Sequence, residues 1–133
     1  MLALINQRRA AGATCGTTVY APTGPLSMQS QLREAARAHS LDMGTNNYFS
    51  HTSLDGRSFF QRIVDSGWAG SCPCGENIAA GYSSPEAVVS GWMSSPGHCA
   101  NIMSASYGAI GIGAAFKSGS TYGWYWTQDF AAR

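Results

Sequence analysis

The sequence has little charge and no long hydrophobic run. Charged residues make up 11% of the 133 residues and hydrophobic residues 44%, a balance that favours a compact fold over disorder. The formal net charge is +1, so neither nucleic acid nor an anionic membrane is expected as a partner. No segment approaches the roughly 20 consecutive apolar residues of a membrane span. We therefore expect one monomeric globular domain over residues 1–133.

The first residues, 1–9, also lack the basic, apolar and small segments of a signal peptide. Either the protein stays inside the cell or the sequence starts after a removed leader. The 16 glycines, the four cysteines and the single lysine, Lys117, favour an exported chain. In such a chain the cysteines are expected to form disulfides, with three possible pairings and a zinc site as the alternative; they are Cys15, Cys72, Cys74 and Cys99.

Apolar residues at spacings of three and four predict four helices in the first two thirds of the chain. They are expected over 1–11, from 26 or 27 to 43, over 57–66 and over 85–93, and residues 15–25 between the first two are expected to be a loop. Ser27 is expected to cap the second helix and Gly44 to end it. Ser84 is expected to cap the fourth, with Pro85 at its first position.

The last third of the chain predicts strands. Residues 109–116 alternate isoleucine and glycine, and residues 122–130 are aromatic, so the two segments are expected to form an antiparallel hairpin. Residues 76–80 are expected to be a short extended segment. Helices followed by strands predict an α+β fold, with helices packed on a small, mainly antiparallel sheet.

Three scattered residues could form a functional site: His51, Glu76 and His98. Two imidazoles and a carboxylate can hold zinc or another divalent cation with an open position, or act as an acid–base pair steered by the carboxylate. The alternative is structural, with each histidine bracing a loop and Glu76 accepting backbone hydrogen bonds. His39 lies on the core-facing side of the second predicted helix, and we interpret it as a structural histidine.

Other patterns carry weaker hypotheses. Ser50, Ser94 and Ser95 lie near a histidine in the sequence, but no G-x-S-x-G segment supports a serine hydrolase. The triplet 72–74, Cys-Pro-Cys, could close a small ring, act as a redox pair or contribute to a metal site. The aromatic residues of 124–130 are expected to place one set in the core and to leave another set able to contact carbohydrate or lipid.

Six segments span nearly the whole chain: NYFSHTSLDG at 47–56, GENIAAG at 75–81, SPEAVVSGW at 84–92, SPGHCANIM at 95–103, GIG at 111–113 and YWTQDF at 125–130. In this order they resemble the CAP superfamily of cysteine-rich secretory, antigen 5 and pathogenesis-related-1 proteins, also called the SCP domain, in its bacterial branch.

The resemblance implies an α-β-α sandwich with an open cleft, in which some members bind zinc. His51 matches the first cleft histidine, Glu76 the acid of the GEN motif and His98 the histidine of the GH motif. The family's second acid falls on Ser95, so one ligand of the usual four is missing. The resemblance also implies a disulfide between Cys15 and Cys99, whereas the Cys72-Pro73-Cys74 triplet is outside the pattern.

We therefore expect a secreted binding module whose cleft holds a divalent metal and a small ligand, which would be a lipid, a glycan or a cell-wall fragment. A hydrolase of protease or esterase type, using histidine and Glu76 as general base, is the alternative. Thiol redox chemistry at Cys72 and Cys74 is a third hypothesis. The fold carries over to this chain more directly than any activity does.

Overall fold

Five helices and six strands build a three-layer domain. The computed structural model describes residues 1–133. The helices are α1 (Leu2–Ala11), α2 (Ser30–Asn46), α3 (Phe59–Asp65), α4 (Pro85–Met93) and α5 (Pro96–Met103). The strands are β1 (Ala13–Cys15), β2 (Thr18–Tyr20), β3 (Ser27–Met28), β4 (Cys74–Ala80), β5 (Ala109–Phe116) and β6 (Trp124–Ala131).

The central sheet has four strands in the order β3-β5-β6-β4. The hairpin of β5 and β6 forms its middle, with Ile110 opposite Phe130 and Ala114 opposite Trp126. β4 pairs antiparallel with β6 along its whole length. β3 pairs parallel with β5 through only two residues, opposite Ala109 and Ile110.

Helices cover both faces of this sheet. The larger core cluster joins α1, α4 and α5 to one face through buried residues that include Ile5, Trp92, Ile102, Ile110 and Phe130. A smaller cluster joins α2 and α3 to the other side of the sheet through Leu32, Ala35, Ile63, Ala109 and Ala131. The α+β, α-β-α sandwich expected from the sequence is therefore confirmed.

Two glycines bring α2 unusually close to β5. A Cβ atom on Gly111 would lie 2.0 Å from the main chain of Leu32, and one on Gly113 would lie 2.4 Å from the main chain of Ala36. Any larger residue would force the helix away from the sheet, so the alternation of glycine along β5 is a packing requirement.

The predicted helices agree with the structure in number for the first two thirds of the chain, but not in every boundary. α4 begins at Pro85, and the Ser84 side chain accepts a hydrogen bond from the Ala87 amide, as predicted. The predicted start of α2 was wrong, because Ser27 pairs with β5 and the helix begins at Ser30. Its predicted end at Gly44 was also wrong. The helix continues to Asn46, and Gly44 is needed because a Cβ there would approach Tyr125 and Lys117.

Three further expectations were wrong. Residues 15–25 are not simply a loop, since β1 and β2 form a small antiparallel hairpin that turns at Gly16, where φ is +62°. The apolar spacing of the third predicted helix, 57–66, predicts that Ile63 and Val64 both face the core, but Val64 is 49% exposed and only Ile63 is buried. Residues 96–103, for which no helix was expected, form α5, with Pro96 at its first position.

Two disulfides complete the fold, one between Cys15 and Cys99 and one between Cys72 and Cys74. The first ties α5 to the β1–β2 hairpin. No cysteine is left free. None of the helices combines the length and the hydropathy that crossing a membrane would require.

Candidate functional site

Glu76 is the centre of the candidate site. It lies in β4, and its side chain is fully buried. Each of its two carboxylate oxygens accepts a hydrogen bond from a different residue. His51 Nδ1 lies 2.8 Å from Oε1, and Arg62 donates from Nη2 to Oε2 over 2.6 Å. Because a carboxylate can only accept, His51 carries its proton on Nδ1 and presents Nε2 elsewhere. The His51 side chain is 53% exposed, so the pair joins a buried acid to an accessible imidazole.

Arg62 makes hydrogen bonds to the loop that carries His51. Its Nη1 donates to the His51 carbonyl over 2.8 Å, to Ser53 Oγ over 2.9 Å and to the Arg57 carbonyl over 3.2 Å. The guanidinium is itself buried in α3. One side chain therefore balances the charge of Glu76 and fixes the backbone beside the imidazole.

Asp129 supplies a second carboxyl group beside Glu76. The two residues lie directly opposite each other on β6 and β4, and Asp129 is fully buried. Burial raises the pKa of Asp129 well above its ordinary value, and the charge of Glu76 raises it further. No N–H or O–H group elsewhere in the protein reaches either of its oxygens. A protonated Asp129 can donate one hydrogen bond to the Glu76 carboxylate, which leaves its carbonyl oxygen without a partner.

The ionisation of Glu76 follows from these neighbours. Burial opposes the charged form, but the hydrogen bonds from His51 and Asp129 and the charge of Arg62 outweigh it and hold the pKa of Glu76 below its ordinary value. Glu76 is therefore a carboxylate at neutral pH, and Asp129 holds the proton of the pair.

His98 lies in the first turn of α5, and its carbonyl accepts a hydrogen bond from Asn77 over 3.1 Å. Burial lowers the pKa of His98, and the charge of His51 lowers it further. No protein group makes a hydrogen bond to the His98 ring.

His98 and Ser95 border a hollow of about 300 Å³. The other walls are mostly apolar and include Phe49, Ile78, Tyr82, Trp92 and Tyr122. Three of the aromatic rings are partly exposed: Phe49 at 46%, Tyr82 at 38% and Tyr122 at 52%. The hollow thus has an aromatic rim and one imidazole at its side.

The candidate site offers few free ligand atoms for a metal ion. No group of three or more His, Cys, Asp and Glu side chains is placed to hold a cation. Both oxygens of Glu76 are already engaged, by His51 and by Arg62, so this carboxylate suits the role of orienting an imidazole better than that of a ligand. His51 Nε2 and the His98 ring are the nitrogens that remain free.

His39 lies outside this site, on the buried face of α2. Its Nε2 contacts the Ser50 carbonyl over 2.8 Å, whereas its Nδ1 has no partner. Burial lowers the pKa of His39, and the charge of Arg62 lowers it further. A cavity of about 470 Å³ between α2 and α3 is lined by His39 and Arg62, and by neither His51, Glu76 nor His98. Arg62 therefore separates this cavity from the candidate site.

The serine and cysteine hypotheses find little in this geometry. No serine hydroxyl is hydrogen-bonded to the ring of His51 or His98, so no serine is arranged as a nucleophile. Cys72 and Cys74 are bonded to each other and do not line the hollow.

Sequence reasoning missed Arg62 and Asp129. The patterns around them predict only a helix and a strand, although each is a charged residue beside buried apolar residues. A charge at such a position needs a buried partner, and this was the signal available for both residues.

Comparison with known proteins agrees with the architecture. The sequence model of the CAP family, described as the cysteine-rich secretory protein family, matches residues 2–130. The chain is 40% identical over 109 residues to the uncharacterized protein YkwD of Bacillus subtilis, a match covering 82% of this chain and 40% of that protein. It is 38% identical over 100 residues to the uncharacterized membrane protein YlbC of the same organism, covering 75% of this chain and 27% of YlbC. The chain thus spans less than half the length of these curated relatives.

Solved structures give the same result. An extracellular protein of Bacillus anthracis that contains an SCP domain superposes with a TM-score of 0.74 at 32% identity, covering 84% of this chain and 35% of that one. An outer surface protein of Borrelia burgdorferi superposes with a TM-score of 0.73 at 22% identity, covering 84% of this chain and 80% of that one, and shows the shared fold. With the family model matching almost every residue, the chain belongs to the CAP family of cysteine-rich secretory proteins.

Proposed function

We propose that this domain is a secreted, monomeric binding module that takes a small ligand in the hollow beside His98. The observation that carries the proposal is the division of the site into a fixed part and an open part. Glu76, Arg62 and Asp129 are buried and bonded to one another or to the chain, whereas the aromatic rim and the two imidazoles face accessible space. Pockets with apolar walls and a few placed polar groups are typical of ligand sites.

The ligand class follows from the walls of the hollow. Exposed aromatic rings at Phe49, Tyr82 and Tyr122 suit the apolar face of a sugar or a lipid chain. Apart from the imidazole of His98, no ionisable group other than tyrosine lines the hollow, so an uncharged group is favoured over a strongly ionic one. A glycan, a lipid or a cell-wall fragment meets these requirements.

Metal binding is a separate clause of the proposal. His51 Nε2 and the His98 ring would supply two ligands for zinc or another divalent cation, and Glu76 would orient the first through its Nδ1. When bound, such an ion would act as a Lewis acid toward a ligand oxygen. The protein's own part is to fix the His51 tautomer through Glu76, whereas His98, and not His51, lines the hollow.

Calorimetric titration of the intact domain with zinc tests the metal clause. We expect a dissociation constant in the micromolar range or below, and loss of binding in His51→Ala and in His98→Ala. Glu76→Gln should weaken zinc binding by about tenfold or more, because a carboxylate that orients a ligand imidazole contributes that much to affinity. Asp55→Asn is the matched control, since this exposed carboxylate pairs with Arg57 away from the site. If the unchanged domain binds no zinc, the metal proposal is rejected, and the proposal of a ligand site in the hollow is unaffected.

Ligand binding is tested without metal. Tryptophan fluorescence, to which Trp92 in the wall of the hollow contributes, should change on titration with short N-acetylglucosamine oligosaccharides or with a fatty acid. Ala80→Leu should abolish this change, because Ala80 lines the hollow and a larger side chain fills it. Saturable binding of either probe that persists in Ala80→Leu would show that the hollow is not the site.

A hydrolase is the second candidate, favoured by one contact. The His51–Glu76 pair has the geometry of a general base oriented by a carboxylate. Since no serine is positioned beside it, the nucleophile would be a water molecule. Turnover of peptide, ester or peptidoglycan substrates should then disappear in the double variant Glu76→Gln with His98→Ala, and activity that survives in this variant would exclude the assignment.

A further inference from the structure

The outer edge of the central sheet is open along most of β5. β3 covers this edge only at its beginning, where the Gln29 amide donates to the Ile110 carbonyl over 2.9 Å and the Ser27 amide donates to the Gly108 carbonyl over 3.0 Å. The chain then turns away into α2, which begins at Ser30. The next residues of β5 have no neighbouring strand on this side.

The alternation of a strand identifies the groups that remain unpaired. Main-chain N–H and C=O groups of successive residues point to opposite sides of a strand. Since the Ile110 carbonyl faces β3, the main-chain groups of Ile112, Ala114 and Phe116 face the same, open side. No loop amide or side chain makes a hydrogen bond to the main chain of Ile112 or Ala114. Unpaired groups in this arrangement are a template for another strand.

A groove runs beside this open edge. It has a volume of about 750 Å³ and lies between α2 and the end of β5, and its lining includes Arg33, Arg37, Leu41 and Phe116. Leu41 is 57% exposed and Phe116 is 59% exposed. Two large apolar side chains therefore flank the edge and could contact the side chains of an added strand.

The groove is positively charged, which favours a negatively charged partner. Arg33 and Arg37 lie one helical turn apart, and Lys117 directly follows β5. None of these three cations takes part in an ion pair, and Glu34 is the one acidic residue in the lining. Pairing with a second copy of the chain would bring like charges together, whereas a segment rich in carboxylates would neutralise them.

We propose that the β5 edge, from Ile112 to Phe116, binds an extended acidic peptide segment of a partner protein as an added strand. The peptide's main chain pairs with Ile112 and Ala114, and its carboxylates lie beside Arg33 and Arg37. This surface is separate from the hollow at His98, since the two share no lining residue. The proposal is therefore independent of the function proposed above.

The test is an NMR titration of the intact ¹⁵N-labelled domain with an acetylated and amidated peptide of alternating glutamate and valine. We expect saturable shifts along residues 112–116 and slowed exchange of the Ile112 and Ala114 amides. A peptide of equal length with lysine in place of glutamate should bind about tenfold more weakly, because its charges face two arginines.

Three variants separate strand pairing from simple charge attraction. Ala114→Pro removes the outward amide and should reduce affinity for the acidic peptide by about tenfold. Ala114→Val keeps the amide and should retain binding. Arg33→Glu with Arg37→Glu, at exposed positions of α2, should reverse the preference between the two peptides, and it tests the proposal even if the proline variant does not fold.

Several results would overturn the proposal. One is absence of binding of the acidic peptide at millimolar concentration. A second is a set of shifts that maps away from β5, and a third is equal affinity in Ala114→Pro and Ala114→Val. A stable dimer of the free domain in sedimentation, lost in Ala114→Pro, would show that a second copy occupies the edge instead.

Discussion

The two edges of the central sheet differ in how their outward main-chain groups are satisfied. On β4 the Glu76 carbonyl accepts from Asn101 over 3.3 Å, and the Ile78 carbonyl accepts from the Trp92 indole over 3.1 Å. Helices α4 and α5 thus close that edge with side-chain donors. On β5 no comparable donor reaches Ile112 or Ala114.

This difference follows the position of the candidate site. The closed edge carries Glu76, whose buried charge needs a fixed surrounding free of competing strands. The open edge, on β5, carries no charged residue. In this domain, side-chain donors close the β4 edge, which supports a buried polar network. The β5 edge supports no such network, and its outward main-chain groups are left without protein partners.

The largest effect should come from releasing α5, which closes the β4 edge. The disulfide Cys15–Cys99 spans 84 residues of chain, and in the chain-entropy account such a link contributes about 4.5 kcal/mol. Cys15→Ser with Cys99→Ser should lower the free energy of unfolding by that order, measured by urea denaturation. Cys72→Ser with Cys74→Ser is the control and should cost about 2 kcal/mol or less, since its loop is short. Equal losses for the two pairs would contradict this ranking.

Removing the cation beneath the closed edge should have the next largest effect. Arg62→Met leaves the buried carboxylate of Glu76 without its charge partner, and we expect a loss of about 3 kcal/mol in the free energy of unfolding. Arg57→Met is the matched control, because Arg57 forms exposed ion pairs with Asp55 and Asp65, and exposed ion pairs contribute little to stability. If the two variants unfold at the same urea concentration, the buried pair does not stabilise the fold.

The carboxyl pair on the closed side should make stability depend on pH. The pKa of Asp129 is raised by burial and then by Glu76, so the folded state holds a proton that the unfolded state releases. The stability that Asp129 contributes is complete below its ordinary pKa of 3.8 and is lost as the pH rises through the folded pKa.

Asp129→Asn cannot titrate and retains a donor for Glu76. The unfolding free energy of this variant, relative to the unchanged protein, should therefore increase as the pH rises above the ordinary aspartate pKa of 3.8. Urea denaturation at several pH values measures this difference. A difference that stays constant, or that decreases as the pH rises, would show that Asp129 is not the group that holds the proton.

The smallest effect is expected on the open edge. Ala114→Pro removes an amide that pairs with nothing, so the free energy of unfolding should fall by about 1 kcal/mol or less. Ala115→Pro removes an amide that faces β6 and should cost about 3 kcal/mol or more. The contrast between neighbouring positions, measured under the same conditions, checks which main-chain groups point outward. Similar losses at both positions would mean that the edge is not open.

The helices and strands that could be predicted are those whose caps, turns and residue alternation lie within or directly beside the element. α4 has its cap and its first-turn proline at Ser84 and Pro85, and the β5–β6 hairpin has its alternation and its turn. The same rule would have found α5, because Pro96 after Ser95 has the same pattern as Pro85 after Ser84.

The errors arose where contacts distant in sequence decide the structure. Ser27 has the chemistry of a helix cap, but pairing with Ala109 places it in a strand. Gly44 usually signals a helix end, but here it admits the Tyr125 ring beside α2. Local preference gives way in both cases to packing that a single sequence does not display.

Part of the candidate site could also be predicted. The contact between His51 and Glu76 was anticipated as a hypothesis, and the structure places Nδ1 and Oε1 2.8 Å apart. The roles of Arg62 and Asp129 could not be derived from spacing, because they depend on α3 and β6 meeting beside β4. The sequence therefore indicated the accessible part of the site and missed the buried part that holds it.

The glycines at 111 and 113 limit how this surface can be redesigned. Because they lack side chains, α2 can lie close to β5. Substituting them to change partner preference would therefore disrupt the packing of α2 on the sheet. An engineer who wishes to retarget the edge has to work from Arg33 and Arg37 on the helix, or from Ala114 and Phe116 on the strand. If the proposed partner binds there, the residues that would contact it alternate along β5 with the glycines that set the distance to α2, so the former can be substituted while the latter are kept.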